Sequence, residues 1–214
     1  MCKVLYMEEQ DLYSEINSIR NLMERSTRFI SLSGLSGVLA GIYALIGAGL
    51  AYKLLYVDAG TDTYLDFNHD ITVQLFFIAL IVLVLSIATG IWLTIRKAKR
   101  KGQSVWNQSS QSLLKSGALP LLTGGCFVLL LLMQGYYGII APGCLIFYGL
   151  ALVAASQYTF GDVKWLGLCD IGLGLLATLL PGYGLFFWAF GFGVLHILYG
   201  TIMHFKYDRE NSAK

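Results

Sequence analysis

The chain has 214 residues, 56% of them hydrophobic and 13% charged, with a formal net charge of +2. An ordinary soluble domain carries about 25% charged residues, so this composition excludes a disordered chain, a soluble nucleic-acid binder and a surface-charged cytosolic enzyme. A mean hydropathy of +0.64 points instead to an all-α integral membrane protein.

Residues 1–28 are polar, with Leu12, Ile16, Ile19, Leu22 and Met23 at 3-4 spacing, which makes one apolar stripe on a helix. Acids come early (Glu8, Glu9, Asp11, Glu15) and bases late (Arg20, Arg25, Arg28), the order that complements a helix dipole. The expectation is a short cytosolic amphipathic arm, either an interfacial helix resting on the membrane or on the inner loops or a helix for docking on a membrane or cytosolic protein partner or on a second copy of the chain. It has no apolar core and starts acidic, so it does not read as a signal peptide.

A transmembrane helix needs about 20 apolar residues. Runs of this kind predict a six-helix transmembrane domain over 29–207, with spans at 29–52, 71–95, 116–134, 138–157, 163–180 and 184–205, and a cytosolic tail at 208–214. The first span carries Ser33, Gly37 and Gly41 every fourth residue, continued by Ala44 and Ala48, a face small enough for close helix approach. The acidic segment after it (Asp58, Asp62, Asp66, Asp70) lacks the glycine and terminal glutamate of a calcium loop, and no metal site is expected.

The second span runs into Arg96, Lys97, Lys99, Arg100 and Lys101, read as the start of a basic loop reaching to Lys115. Such a cluster beneath a span attracts anionic lipid headgroups at about 1 kcal/mol per residue. In the third and fourth spans, Pro120, Gly124, Gly125, Pro142 and Gly143 weaken the helix and offer a kink or a cavity wall. Of the 15 basic residues, all but Lys53 fall on one side of this six-span arrangement. That asymmetry places both termini in the cytoplasm.

Two ionisable side chains fall inside spans, where such residues are functional candidates by default. Asp170 is 12 residues and His196 is 14 residues from the turn at Gly182, so at about 1.5 Å per residue they share a depth. If the two face each other, they can share a proton or hold a charge-assisted hydrogen bond. Tyr148 and Tyr43, with Thr123 or Ser86, count to the same layer. The layer reads either as interhelical hydrogen bonding or as a proton or ion relay.

Residues 25–48, RSTRFISLSGLSGVLAGIYALIGA, resemble the opening of an uncharacterised group of small bacterial multi-pass membrane proteins. The resemblance covers the first quarter of the chain and implies a bacterial inner membrane setting, with no site residue or cofactor attached.

The sequence holds no HExxH, GxSxG, Walker loop or post-strand GxGxxG, and Gly172, Gly174, Gly191 and Gly193 read as helix-packing glycines. No cofactor and no enzymatic activity are expected. The first functional expectation is a non-catalytic sensor, regulator or assembly component acting through the arm and the basic loop. The second is a transporter or channel for a small solute, an ion or a proton-coupled substrate, using the layer around Asp170 and His196.

Overall fold

The computed structural model describes residues 33–58, 69–100, 102 and 104–208. The arm at 1–28, the acidic segment 59–68, Lys101 and the tail from 209 lie outside the described residues. Within them the chain is helical, without a strand.

Helix α1 (Gly34–Tyr52) continues through a π-helical turn, Lys53–Asp58. Helix α2 (His69–Arg100) has 32 residues, about 48 Å at 1.5 Å per residue. It therefore outruns the hydrocarbon and carries Arg96 to Arg100 as its helical C-terminal end rather than as a loop. Those cations complement the negative end of the helix dipole. Helix α3 (Gln108–Met133) also starts earlier than its apolar run: the Asn107 side chain accepts from the Ser110 amide at 2.8 Å, and the Asn107 amide donates to Ser110 Oγ at 3.0 Å. This reciprocal cap starts the helix at Gln108 and leaves only 101–107 between α2 and α3.

Helix α4 (Ile140–Ala155) has a 3₁₀ turn at each end, and α5 spans Asp162–Leu179. Pro142 lies in the first turn of α4, where a missing N–H costs nothing, so the helix is not interrupted there. The C-terminal helix is composite: α6 (Gly184–Trp188), a π-helical stretch Ala189–Leu195, α7 (His196–Met203) and a second π turn, His204–Asp208.

Five helices are long and apolar enough to cross a membrane: Gly34–Val57, Ile71–Arg100, Gln108–Met133, Tyr137–Tyr158 and Gly184–Tyr207. The expected fifth span, α5, is not among them, because its 18 residues include Asp162, Lys164 and Asp170.

Close glycine contacts set the neighbours. Built Cβ atoms on Gly34, Gly37 and Gly41 would meet His204, Gly200 and Gly193 in turn, so α1 runs antiparallel to the C-terminal helix with backbones nearly touching. Gly149 against Gly167, and Gly174 against Pro142 and Ile146, make α4 and α5 antiparallel in the same way. Without large side chains between them, such pairs gain dispersion contacts that lipid cannot supply. Helix α2 packs on α1, α3 packs on α4, and the C-terminal helix joins the two pairs through α1, α4 and α5.

The starts of α1 and α5 meet the ends of α2 and the C-terminal helix at one end of the bundle, called here the basic end. Phe160 stacks on Tyr207 with centroids 4.0 Å apart, Lys97 Nζ lies 5.8 Å from the Phe160 ring, and Lys206 pairs with Asp162 at 3.0 Å. At the opposite end Tyr56 donates to the Gly182 carbonyl at 3.4 Å, and Tyr52 meets Phe186 edge-on.

Candidate functional site

The site lies where α4, α5 and the C-terminal helix meet. Asp170 on α5 is 0% exposed, and Leu145 and Pro142 on α4 are the other large side chains buried as completely. Neither Asp170 side-chain oxygen has a hydrogen-bond partner among the described residues. Its surroundings are apolar. A Cβ built on Gly191 would stand 2.5 Å from Leu145 Cδ2, 2.9 Å from Asp170 Oδ1 and 3.5 Å from Leu173 Cδ1. Only glycine lets the π-helical backbone lie this close to the carboxyl.

His196 opens α7 directly after the π stretch. Its Nδ1 is 2.9 Å from the Gly191 carbonyl and its Nε2 is 2.8 Å from Tyr148 Oη. A carbonyl can only accept, so Nδ1 carries a proton and donates to it; Nε2 of the neutral ring is then the acceptor and takes the Tyr148 O–H. Both ring nitrogens are satisfied. Phe192 stacks on the imidazole at 5.9 Å and leans on Tyr148 at 4.9 Å, with Trp188 at 5.1 Å behind it. These rings fix the orientation of the Tyr148–His196 pair.

Asp170 and His196 share no hydrogen bond. The two side chains are close in depth, yet Gly191 stands between them: its carbonyl binds the histidine and its Cα face abuts the carboxyl. The reason is the π turn. A wide turn shifts the register of the residues after it, and the His196 ring bonds back to the carbonyl five residues earlier on its own helix.

Of the other residues expected in the layer, Tyr148 belongs to it. Tyr43 is half-buried on α1 and takes no part in the Tyr148–His196 hydrogen bonds. Thr123 is exposed and donates back to Leu119 of its own helix at 2.8 Å, and Ser86 lies on α2, which packs on α1. Ser33 is buried at the start of α1, and Gly37 and Gly41 face the C-terminal helix. Arg96, Lys99 and Arg100 are exposed at the basic end, with Arg96 over the Trp92 ring at 5.4 Å, while Lys97 turns toward Phe160.

Sequence reading missed the role of Gly191. Gly191 gave no signal, because a glycine that admits a carboxyl looks in sequence like one that admits a helix. Among the described residues no group of three His, Cys, Asp or Glu side chains could hold a metal ion.

No protein-family model matches this chain, and no curated protein or solved structure matches it. The geometry around Asp170 is what carries a functional reading.

Proposed function

We propose that this chain is a multi-pass protein of a bacterial inner membrane that works as a non-catalytic, proton-responsive sensor or regulator, with Asp170 as the group that gains and loses the proton. The observation that carries the reading is the complete burial of Asp170 with both oxygens unpartnered among the described residues. A carboxylate in such a place costs several kcal/mol, where a leucine would pack without that cost. The two protonation states also need different surroundings: the carboxylate needs donors and the acid needs an acceptor. A change of state therefore disturbs Leu145, Leu173 and Gly191, and through the Gly191 carbonyl it reaches His196 and Tyr148.

In this reading α5 is also a span, the fifth of six in chain order, its Asp170 shielded by α4 and the C-terminal helix. Both termini are cytoplasmic, as the excess of lysine and arginine at the basic end supports. The arm at 1–28 serves a protein partner or a second copy of the chain, and Arg96, Lys97, Lys99, Arg100 and Lys101 serve anionic lipid headgroups.

A second reading, a proton-coupled transporter or channel, is favoured by the π-helical stretch Ala189–Leu195 beside Asp170, since interrupted spans commonly form transporter sites.

The test is Asp170→Asn in purified, reconstituted protein. We expect wild type to show a pH-dependent change in tryptophan fluorescence, reported by Trp188, that the variant loses while its melting temperature holds or rises. Proton uptake into liposomes by wild type and not by the variant would move the assignment to transport. An unchanged pH response in the variant would remove Asp170 from the reading.

A further inference from the structure

We infer that the proton at Asp170 sets the position of α1, transmitted through the π-helical stretch Ala189–Leu195, so that α1 and the arm preceding it are the output of the site. The inference rests on the proton-binding reading of Asp170 and adds to it the element that responds.

The contacts run in one line across the bundle. Among the described residues α1 packs on α2 and on the C-terminal helix, and the C-terminal helix in turn packs on α4 and α5. A change at Asp170 therefore crosses the C-terminal helix to reach α1. It meets that helix at Gly191, where a Cβ would stand 2.9 Å from Asp170 Oδ1. Two residues on, Gly193 meets α1. A Cβ on Gly193 would strike the Leu45 side chain, and a Cβ on Gly41 would stand 2.6 Å from the Gly193 carbonyl oxygen and 3.0 Å from the Ile197 amide nitrogen. At about 100° per residue, Gly191 and Gly193 lie on opposite sides of the helix. On each side it is the backbone of the C-terminal helix that makes the contact, with no side chain of its own to bend away. Close-packed interiors transmit strain, so a displacement at Gly191 arrives at α1.

Both ends of the C-terminal helix are fastened, which confines the movement to its middle. At the basic end Phe160, Val163 and Met203 form a buried apolar cluster, Phe160 stacks on Tyr207, and Lys206 pairs with Asp162. At the opposite end the turn 180–183 joins the helix to α5, and its Gly182 carbonyl accepts from Tyr56. Between these ends, the part that abuts Asp170 is the π-helical stretch with its two glycines. Single wide turns of this kind recur at functional sites.

The sign of the movement follows from the surroundings of the carboxyl. Leu145, Leu173 and the Gly191 Cα suit the neutral acid, whereas the carboxylate needs donors that water brings once there is room for it. Loss of the proton to water therefore moves the π stretch, and α1 with it, away from α5. The other titratable groups of the elements around Asp170 are Tyr148 and, one turn back, Cys144 on α4, His196 and, three residues on, Tyr199 on the C-terminal helix, and Cys169 and Asp162 on α5 itself. Substitution at Asp170 separates its titration from theirs.

The full chain, with its four cysteines replaced by alanine, is spin-labelled in pairs, reconstituted in liposomes and measured by double electron–electron resonance at acid and alkaline pH. Ile46, Leu175 and Leu198 are each more than half exposed and accept labels. Ile46→Cys with Leu175→Cys reads the distance from α1 to α5, and Ile46→Cys with Leu198→Cys reads it within the pair of α1 and α7. The first distance should lengthen by about 2 Å on going to alkaline pH, the scale of helix shifts in switching proteins, while the second holds. In Asp170→Asn the first distance should be the same at both pH values; should that variant not fold, Asp170→Leu carries the same comparison. A constant first distance in a protein whose Trp188 fluorescence still follows pH through Asp170 overturns the link to α1 and leaves the proton-binding reading standing. A second distance that changes as much as the first also overturns the link, since α1 and α7 then part instead of moving together. A shift that persists in the Asp170 variants, or the absence of any Asp170-dependent response in distance and fluorescence alike, overturns the proton-binding reading itself.

Discussion

Asp162 and Asp170 belong to one helix and meet opposite conditions. Asp170 has apolar neighbours and no donor among the described residues. At Asp162, partial burial pushes the carboxyl up, but hydrogen bonds from Lys206 and Tyr207 and the Lys206 charge outweigh it and hold the group below its usual value. A carboxyl lower in the folded than in the unfolded state stabilises the fold above its unfolded value, and that contribution fades as pH falls through its folded value. Asp162→Asn should therefore melt below wild type at neutral pH, and the gap should close on acidification below about pH 4. Thermal melts of the two proteins in detergent across that range check this; the gap will be modest, because Lys206 is half exposed and screened by solvent. At this scale the depth of Asp170 and His196 was legible, since a fixed helical rise turns residue counts into distances. Their partners were not. Which atom a ring nitrogen meets depends on the wide turn at Ala189–Leu195, and no pattern of apolar residues announces such a turn.

Between elements, the glycines decide which helices touch. A Cβ on Gly200 would stand 2.6 Å from the Val38 amide nitrogen and 2.7 Å from the Gly34 carbonyl oxygen, both rigid backbone atoms. Gly200→Ala should therefore push α1 away from α7 and destabilise the protein by about 1–3 kcal/mol, as overpacking does. Gly49, whose Cβ would meet nothing within 4 Å, supplies the control: Gly49→Ala should leave the melting temperature unchanged or slightly raised. The small-residue face of α1 was readable from its four-residue spacing, but spacing describes one surface and never its counterpart. The segment from Arg96 to Lys115 went the other way. Its charges and amides read as a loop, whereas the Asn107–Ser110 cap and the dipole-matched cations extend helices into it from both sides.

Over the whole molecule, apolar surface and charge sort into separate regions. The most apolar part of α2 is buried nowhere inside the protein, and Ile81, Val84, Ile87 and Ile91 stand more than half exposed, a surface suited to hydrocarbon. Composition made this much plain before any geometry, because a soluble fold does not present so long an exposed apolar face. Exposed cations gather at one end, with Arg96, Lys99 and Arg100 near the C-terminal end of α2. Replacing these three by glutamine should weaken retention of anionic lipid by about 1 kcal/mol each, read by native mass spectrometry of protein eluted with mixed anionic and zwitterionic lipids. Zwitterionic lipid should be retained equally by both proteins.

The pairing of α1 with α7 also has a consequence for biosynthesis. The first and last described helices are partners, so the glycine face of α1 stays uncovered while every helix between them is translated. Domains otherwise tend to fold from the N-terminus as they are made, and a contact between distant parts of the chain is slow to form. Here α1 must wait in the bilayer, or be held by the insertion machinery, until α7 has been made.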